Sequence, residues 1–308
     1  REGSIVGNEE PVPVPRGGLI VIDKPRGPSS HQVTAWVGDI LGQNVGHAGT
    51  LDPDVSGVLV VMVGRAVRLA PVLLSHDKEY VALVRFHGNP GEEAIRKACS
   101  EFCGRIYQRP PRRSSVARNL RIRTVQSLDL LELDGRLAVL RICCDAGTYI
   151  RSLCHHLGLA LGCGAHMQEL RRTRSGPFRE DSAHTLAGLR DAADAFRMGC
   201  VRPLREMILP PESALAGLPE VVIRDSAVDA LCHGAALAGV GILSSGVFRK
   251  GERVAVMTQK GELVCTGQAL VSSTQFSPGK PGLVIAPESV FLPRGTYPPG
   301  WKKKERRV

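Results

Sequence analysis

The sequence predicts an α+β fold with a mixed or antiparallel sheet, followed by a small all-β unit. Strand-like and helix-like stretches interleave without a regular βαβ rhythm. Asp134-Gly135 joins two alternating runs, the strongest short-range hairpin signal. After a proline-rich stretch around residues 205–220, the remaining apolar pieces are short and separated by glycine turns, as in a small β-barrel or sandwich.

Each element has its own signal. Residues 1–16 contain "PVPVP", which cannot form a helix and is expected to run extended. "GLIVIDKP" is an apolar run stopped by Pro25, the pattern of a buried strand. "PSSHQVTAWVGDIL" places Val33, Trp36, Val37, Ile40 and Leu41 on one helical face, with Ser29 or Ser30 as N-cap. "VLVVMVG" and "KEYVALVRFHG" read as strands, and "EEAIRKACSEF" returns to helical spacing through Ile95, Ala98, Cys99 and Phe102. "SLDLLEL" and "RLAVLRICC" form the arms of the hairpin. In "TYIRSLCHHLGLALG", Ile150, Leu153, Cys154, Leu157 and Leu161 align for another amphipathic helix. "EVVIRD", "ERVAVMTQKGELVCTGQAL" and "GLVIAPESVFL" supply the strands of the second unit.

Composition narrows the partners. Among 308 residues, 40 Lys and Arg face 30 Asp and Glu, giving +10 and a pI near 9.4, which favours a polyanionic partner such as nucleic acid or an acidic membrane surface. The chain has no apolar run of the roughly 18 residues a membrane span needs and no apolar signal core near its start, so a soluble, intracellular protein is expected. The nine cysteines lack paired CxxC spacing and are expected as buried thiols in a reduced compartment. Adjacent Cys154, His155 and His156 point in different directions on a helix and make a poor metal cage.

The charge is concentrated. "GRIYQRPPRRSSVARNLRIR", Gly104 to Arg123, holds seven arginines and no acid, with Arg112, Arg113 and Arg118 at its centre. "RRTRSGPFR", opening with Arg171 and Arg172, is a second cluster. Arginine in preference to lysine suits bidentate phosphate contact, so RNA is the expected partner.

One loop stands out, "GHAGTLDPDVSG", with Asp52 set among glycines and small residues. Such loops are usually turns. Its lack of bulk would nevertheless admit a planar group, and His47 and Tyr80 could stack on a base. Spacing alone leaves turn and catalytic loop both open.

The ordered motifs "GLIVIDKPRGPSSHQV", "GHAGTLDPDVSGVLVV", "KEYVALVRFHG", "GRIYQRPPRRSSVARNLRIR", "DAGTYIRSLCHHLGLALGCGAHMQELRRTRSGPF" and "VVIRDSAVDALCHGA" resemble the TruB-type pseudouridine synthases. They look most like the guide-RNA-dependent, box H/ACA, dyskerin-like branch, over roughly residues 17 to 300. The resemblance implies a mixed-sheet catalytic domain (17–210), a PUA RNA-binding β-barrel (218–296) and a basic tail (297–308). It implies Asp52 as the catalytic aspartate, Tyr80 and Arg151 beside it, and a pocket with Leu170 and Tyr149. Lys24 and Pro25 would buttress the loop, and His47, Arg171, Arg172 and Arg224 join the three central arginines as RNA contacts. Pairing with Arg151 would hold Asp52 charged and aimed. No cofactor or metal is implied.

The tRNA-specific relatives carry a long insertion after the "QxPP" element that this chain lacks, which favours the guide-dependent branch. Implied partners are a box H/ACA guide RNA, substrate rRNA, a small zinc-ribbon protein, a glycine-arginine-type protein and a kink-turn binder. The alternatives are a stand-alone tRNA synthase and a non-catalytic RNA scaffold. Ala48 and Asp54 stand where relatives often carry serine and lysine, adding a negative charge beside the loop. The short tail points to an archaeal-type cytoplasmic protein over a nucleolar one.

Overall fold

The computed structural model describes residues 17–109 and 119–299, so the 1–16 segment, Arg112, Arg113, Arg118 and most of the basic tail lie outside the described residues. Two compact units appear, one ending at Leu209 and the other starting at Pro210.

In the first unit, the run ending at Lys24 forms β1 (Gly17–Lys24), almost wholly buried. Helix α1 (Ser30–Leu41) opens on a capping box: the Gln32 amide donates to the Ser29 hydroxyl, and the Ser29 amide donates to the Gln32 side chain. It stops at Gly42, whose φ of 64° lets its N–H reach the Gly38 carbonyl. The expected apolar face needs one correction. Val33, Val37, Ile40 and Leu41 are buried, but Trp36 is 43% exposed, because the core stripe runs through Ser30 and Thr34 instead. Then β2 (Val45–Ala48), β3 (Val55–Gly64), α2 (Ala70–Ser75) and β4 (Lys78–Phe86) follow.

Next come α3 (Glu92–Glu101), β5 (Gly104–Gln108) and the hairpin β6 (Arg121–Asp134) with β7 (Leu137–Cys144), turned at Gly135 with φ 56°. After α4 (Ile150–Ala160), the arginine-rich stretch becomes β8 (Ala165–Ser175), and β9 (Phe178–Arg179), α5 (Leu186–Arg197) and α6 (Arg202–Met207) close the unit. The sheet order is β1-β3-β8-β4-β7-β6-β5, with β2 on β3 and β9 on β8. Only β3 and β8 run parallel, so the sheet is mixed. Leucines and isoleucines of α3 and α4 pack with β4, β6 and β7, while α1 and α5 cover β1 and β3. Full burial of each such side chain contributes about 1.5–3 kcal/mol.

The second unit contains β10 (Glu220–Ile223), α7 (Asp225–Cys232), β11 (Leu237–Ala238), β12 (Ile242–Ser245), β13 (Arg253–Thr258), β14 (Leu263–Ala269) and β15 (Leu283–Val290). These strands make a nearly closed six-stranded sheet, ordered β11-β15-β14-β13-β10-β12, around a core of Val221, Ile223, Val254, Val256 and Val264. Of the nine cysteines, Cys99, Cys144, Cys154, Cys232 and Cys265 are buried thiols, whereas Cys103 and Cys200 are exposed.

Candidate active site

The loop between β2 and β3 is held from beneath and open above. Lys24, fully buried at the end of β1, donates from Nζ to the carbonyls of Pro25 (2.9 Å), Pro53 (3.3 Å) and Val55 (2.8 Å). Burial pushes its pKa down, and the Asp52 and Asp54 carboxylates pull it back up. The buried Ser30 hydroxyl donates to the Leu51 carbonyl and accepts from the Leu51 amide, both at 2.8 Å. The Val55 amide closes the turn onto the Asp52 carbonyl at 3.0 Å, and the Gly27 amide donates to the Pro53 carbonyl at 2.8 Å. With Leu51 buried and Pro53 tied down, Asp52 between them is exposed. The loop is thus both a turn and a platform that presents Asp52, with Asp54 exposed beside it.

Arg172 completes the underside. Its Nε donates to the Val58 carbonyl (2.8 Å) and its Nη2 to the Gly49 carbonyl (2.7 Å). Gly49 has φ 79°, and a side chain there would start 3.4 Å from this guanidinium. Arg172 was expected to touch RNA; at 1% exposed it is buried inside the sheet and does not face solvent. Arg171, on the opposite face of β8, is also spoken for: it bridges Asp23 at 2.9 Å and Glu180 at 2.7 Å. Arg174 is bidentate to Asp77. Within the second cluster, Arg171, Arg172 and Arg174 thus sit on a strand with internal partners, because alternation sends Leu170 and Arg172 inward and Arg171 outward, while Arg179 on β9 is exposed.

Tyr80 on β4 and Leu170 on β8 lie on neighbouring strands, and Leu170, 9% exposed, pairs in register with Val55 at the end of the loop. Tyr80 is half-buried; burial of its phenol raises the pKa, and the positive charge of its cross-strand neighbour Arg172 opposes this. His47 on β2 stands edge-on to His31 of α1, with ring centroids 4.9 Å apart. Burial chiefly, then the charges of His31 and Arg172, lower its pKa, so it is held neutral. Its Nδ1 is buried without a hydrogen-bond partner.

Arg151 occupies the first turn of α4 and is exposed. The helix start is fixed through Tyr149, whose amide donates to the Gln108 side chain (2.9 Å) and whose carbonyl accepts from it (3.1 Å). The expected Asp52–Arg151 ion pair is not formed: no contact within 4 Å joins the two. Both are solvated, and an exposed pair gains too little to hold two side chains in one geometry. The cations set against the loop are Lys24 and Arg172. Pro25 is exposed and contributes its carbonyl to Lys24. Arg224, in the second unit, is an exposed side chain at the N-cap position of α7.

Gln108 and Lys78 were not singled out from sequence, and Ser30 only as an alternative N-cap. A serine directly after a proline-serine helix start signals a cap, and nothing local shows that its hydroxyl turns to a loop 21 residues on. Lys78 is 3% exposed, donates to the Leu73 and His76 carbonyls, and has its pKa lowered to about 8, by burial first and then by Arg172.

Comparison with known proteins follows this geometry closely. Residues 40–150 match the N-terminal domain of the TruB family of pseudouridylate synthases, 151–216 the C-terminal domain of tRNA pseudouridylate synthase B, and 219–291 the PUA domain. This chain belongs to the TruB family of pseudouridine synthases. A relative in Methanosarcina barkeri, named probable tRNA pseudouridine synthase B, is 48% identical, with 94% of this chain and 87% of the relative covered. Among solved structures, one of an H/ACA ribonucleoprotein bound to a substrate RNA containing 2'-deoxyuridine is similar at 46% identity and TM-score 0.86, covering 92% of this chain and 88% of that one. A Cbf5-Nop10-Gar1 complex matches at 48% identity and TM-score 0.88, covering 92% and 87%. The chain is an RNA pseudouridine synthase of α+β class with a PUA domain.

Proposed function

We propose that this chain is the catalytic subunit of a box H/ACA guide ribonucleoprotein that isomerises uridine in rRNA, with Asp52 as the reacting carboxylate. The observation that carries the proposal is the loop itself: Lys24, Ser30 and Arg172 anchor its backbone from below and leave Asp52 presented at the exposed turn it shares with Pro53 and Asp54. Isomerisation breaks the bond from sugar C1' to N1 of uracil and forms one from C1' to C5; the C5 proton leaves and N1 takes one up, so no redox partner is needed. A carboxylate serves either as a nucleophile or as the base that removes a sugar proton. Tyr80 offers a ring face to an extruded base, Leu170 an apolar wall, and Tyr149 a side of the pocket. Arg151 supplies a charge that RNA binding can bring to Asp52.

Domain limits of 17–210 for catalysis and 218–296 for RNA binding are part of the same reading, supported by the two compact units and the matched ranges. So are a guide RNA, a zinc-ribbon and a glycine-arginine-type protein, supported by the Nop10 and Gar1 of the similar complex, and a kink-turn binder. Arg112, Arg113, Arg118, His47 and Arg224 remain the proposed RNA contacts. A cytoplasmic, archaeal setting accords with the Methanosarcina relative. Among the described residues, no helix is long and apolar enough to cross a membrane.

The curated name of that relative favours a second reading, a tRNA substrate without a guide. Tritium release from C5-labelled uridine separates them. Turnover is expected on a guide-complementary RNA, dependent on guide, and lost in Asp52→Asn with RNA affinity kept. Strong guide-free turnover confined to tRNA would select the second reading, and an active Asp52→Asn would defeat both.

A further inference from the structure

Arg172 does more than its hydrogen bonds require. It is the largest fully buried side chain in the described structure, sitting where three parts of the site meet. On β8 it is the register partner of Gly57 on one side and of Tyr80 on the other. The β3 backbone presses so closely on it that a Cβ at Gly57 would lie 2.1 Å from the Arg172 carbonyl oxygen. Its guanidinium then spans the Gly49 carbonyl before Asp52 and the Val58 carbonyl after it, next to its cross-strand neighbour Tyr80.

A neutral amide could donate to two carbonyls. Burying a guanidinium instead is costly, and among the described residues no carboxylate lies within 4 Å of it to offset that cost. The charge is therefore free to act on its surroundings. Burial lowers the pKa of Lys24, His47 and Lys78, and the Arg172 charge adds to that in each case. One buried cation acts on Lys24, His47, Lys78 and Tyr80 together.

We propose that Arg172 is a positioning residue for the isomerisation, holding the Asp52 loop and the Tyr80 phenol in one frame and facing both with a fixed positive charge. This rests on the reading of Asp52 as the reacting carboxylate. Errors of about 1 Å in such a frame cost roughly 100-fold in rate without loosening a substrate held elsewhere. The consequence is a defect in turnover and not in RNA binding.

The test uses the full chain assembled with an H/ACA guide RNA, a guide-complementary RNA tritiated at uridine C5, and filter binding for affinity. Arg172→Gln keeps a donor and removes the charge; Arg172→Lys keeps the charge and shortens the fork. Affinity is expected within about threefold of wild type, with single-turnover rate down about 100-fold in Arg172→Gln and about tenfold recovered in Arg172→Lys. A rate within threefold of wild type in both variants, or a loss seen only as weaker RNA binding, would overturn the proposal. An Arg172→Lys protein no faster than Arg172→Gln would remove the role of the charge. If circular dichroism shows Arg172→Gln unfolded, Arg172→Lys decides alone: a rate within threefold overturns, a larger fall at unchanged affinity supports. An inactive wild type on guided RNA and on tRNA would sink the parent reading instead, which keeps the two failures apart.

Discussion

The loop at residues 46–57 and the arginine run at 171–179 invite opposite readings, and the structure exchanges much of their character. The loop looks like an incidental turn and proves to be the most heavily anchored irregular segment of the site, fixed through Lys24, Ser30 and Arg172. The arginine run looks like an RNA-facing surface and proves to be mostly an inner strand, with Arg171, Arg172 and Arg174 committed to Asp23, Glu180, Asp77 and backbone carbonyls and only Arg179, on β9, left exposed. Residue type reports which interactions are available, and only burial decides which are used. An arginine on a pleated strand alternates between those two fates at every step.

The sharpest way to break the comparison is at Lys24. Replacing it by Met leaves the Pro25, Pro53 and Val55 carbonyls without their shared donor, a loss on the order of 3 kcal/mol. Displacement of the loop by about 1 Å should lower turnover roughly 100-fold. Urea denaturation and single-turnover rates check both. A Lys24→Met protein of wild-type rate would show that the loop does not depend on its underside.

Lys78 tests the same underside through pH. Its pKa falls from 10.5 to about 8, so between those values the folded state binds fewer protons than the unfolded chain. Stability then rises with pH across that window, by about 2 kcal/mol from pH 7 to 9.5 for this residue alone. Cys144, Cys154 and Cys265, pushed up to about 12 by burial, act in the opposite sense as pH passes 9; Cys154 and Cys265 cancel between wild type and Lys78→Met, whereas Cys144, whose pKa the Lys78 charge lowers, makes the range below pH 9 the one to compare. The wild-type minus Lys78→Met stability should therefore climb with pH; parallel curves would refute the buried cation. Ser30→Ala is expected to cost less, about 1–2 kcal/mol, since it orphans one amide and one carbonyl of Leu51 while Ser29 still caps the helix. Chemical denaturation reads it, and an unchanged midpoint would mean that Leu51 holds its place by packing.

Local patterning made much of the fold legible: β1 by its apolar run, α1 by its cap and period, the β6–β7 hairpin by Asp134-Gly135. Strand β8 was hidden because its inward positions include Arg172 and Ser175, polar side chains that interrupt the expected alternation. Trp36 shares the helical spacing of Val33 and Val37 yet stays exposed, because the buried stripe of α1 runs through the polar Ser30 and Thr34. At the site, the turn that carries Asp52 was legible from its glycines and proline. The partner expected for it, Arg151, is solvent-exposed, and the cations that do lie against the loop come from β1 and β8, neighbours of β3 that sequence distance conceals.

The smallest predicted effect separates the two arginine clusters. Arg171 is about one-third exposed and shared between Asp23 and Glu180, so Arg171→Gln should cost less than about 1 kcal/mol of stability. Because its donors already serve carboxylates, it neutralises no phosphate, and the dependence of RNA affinity on salt should keep its slope. Arg112→Gln and Arg113→Gln should each flatten that slope by about one logarithmic unit per lost phosphate contact. Measured side by side, a flattened slope in Arg171→Gln would return β8 to the RNA surface. An unchanged slope in all three would mean that neither cluster meets the RNA backbone, and that the +10 charge acts through other residues.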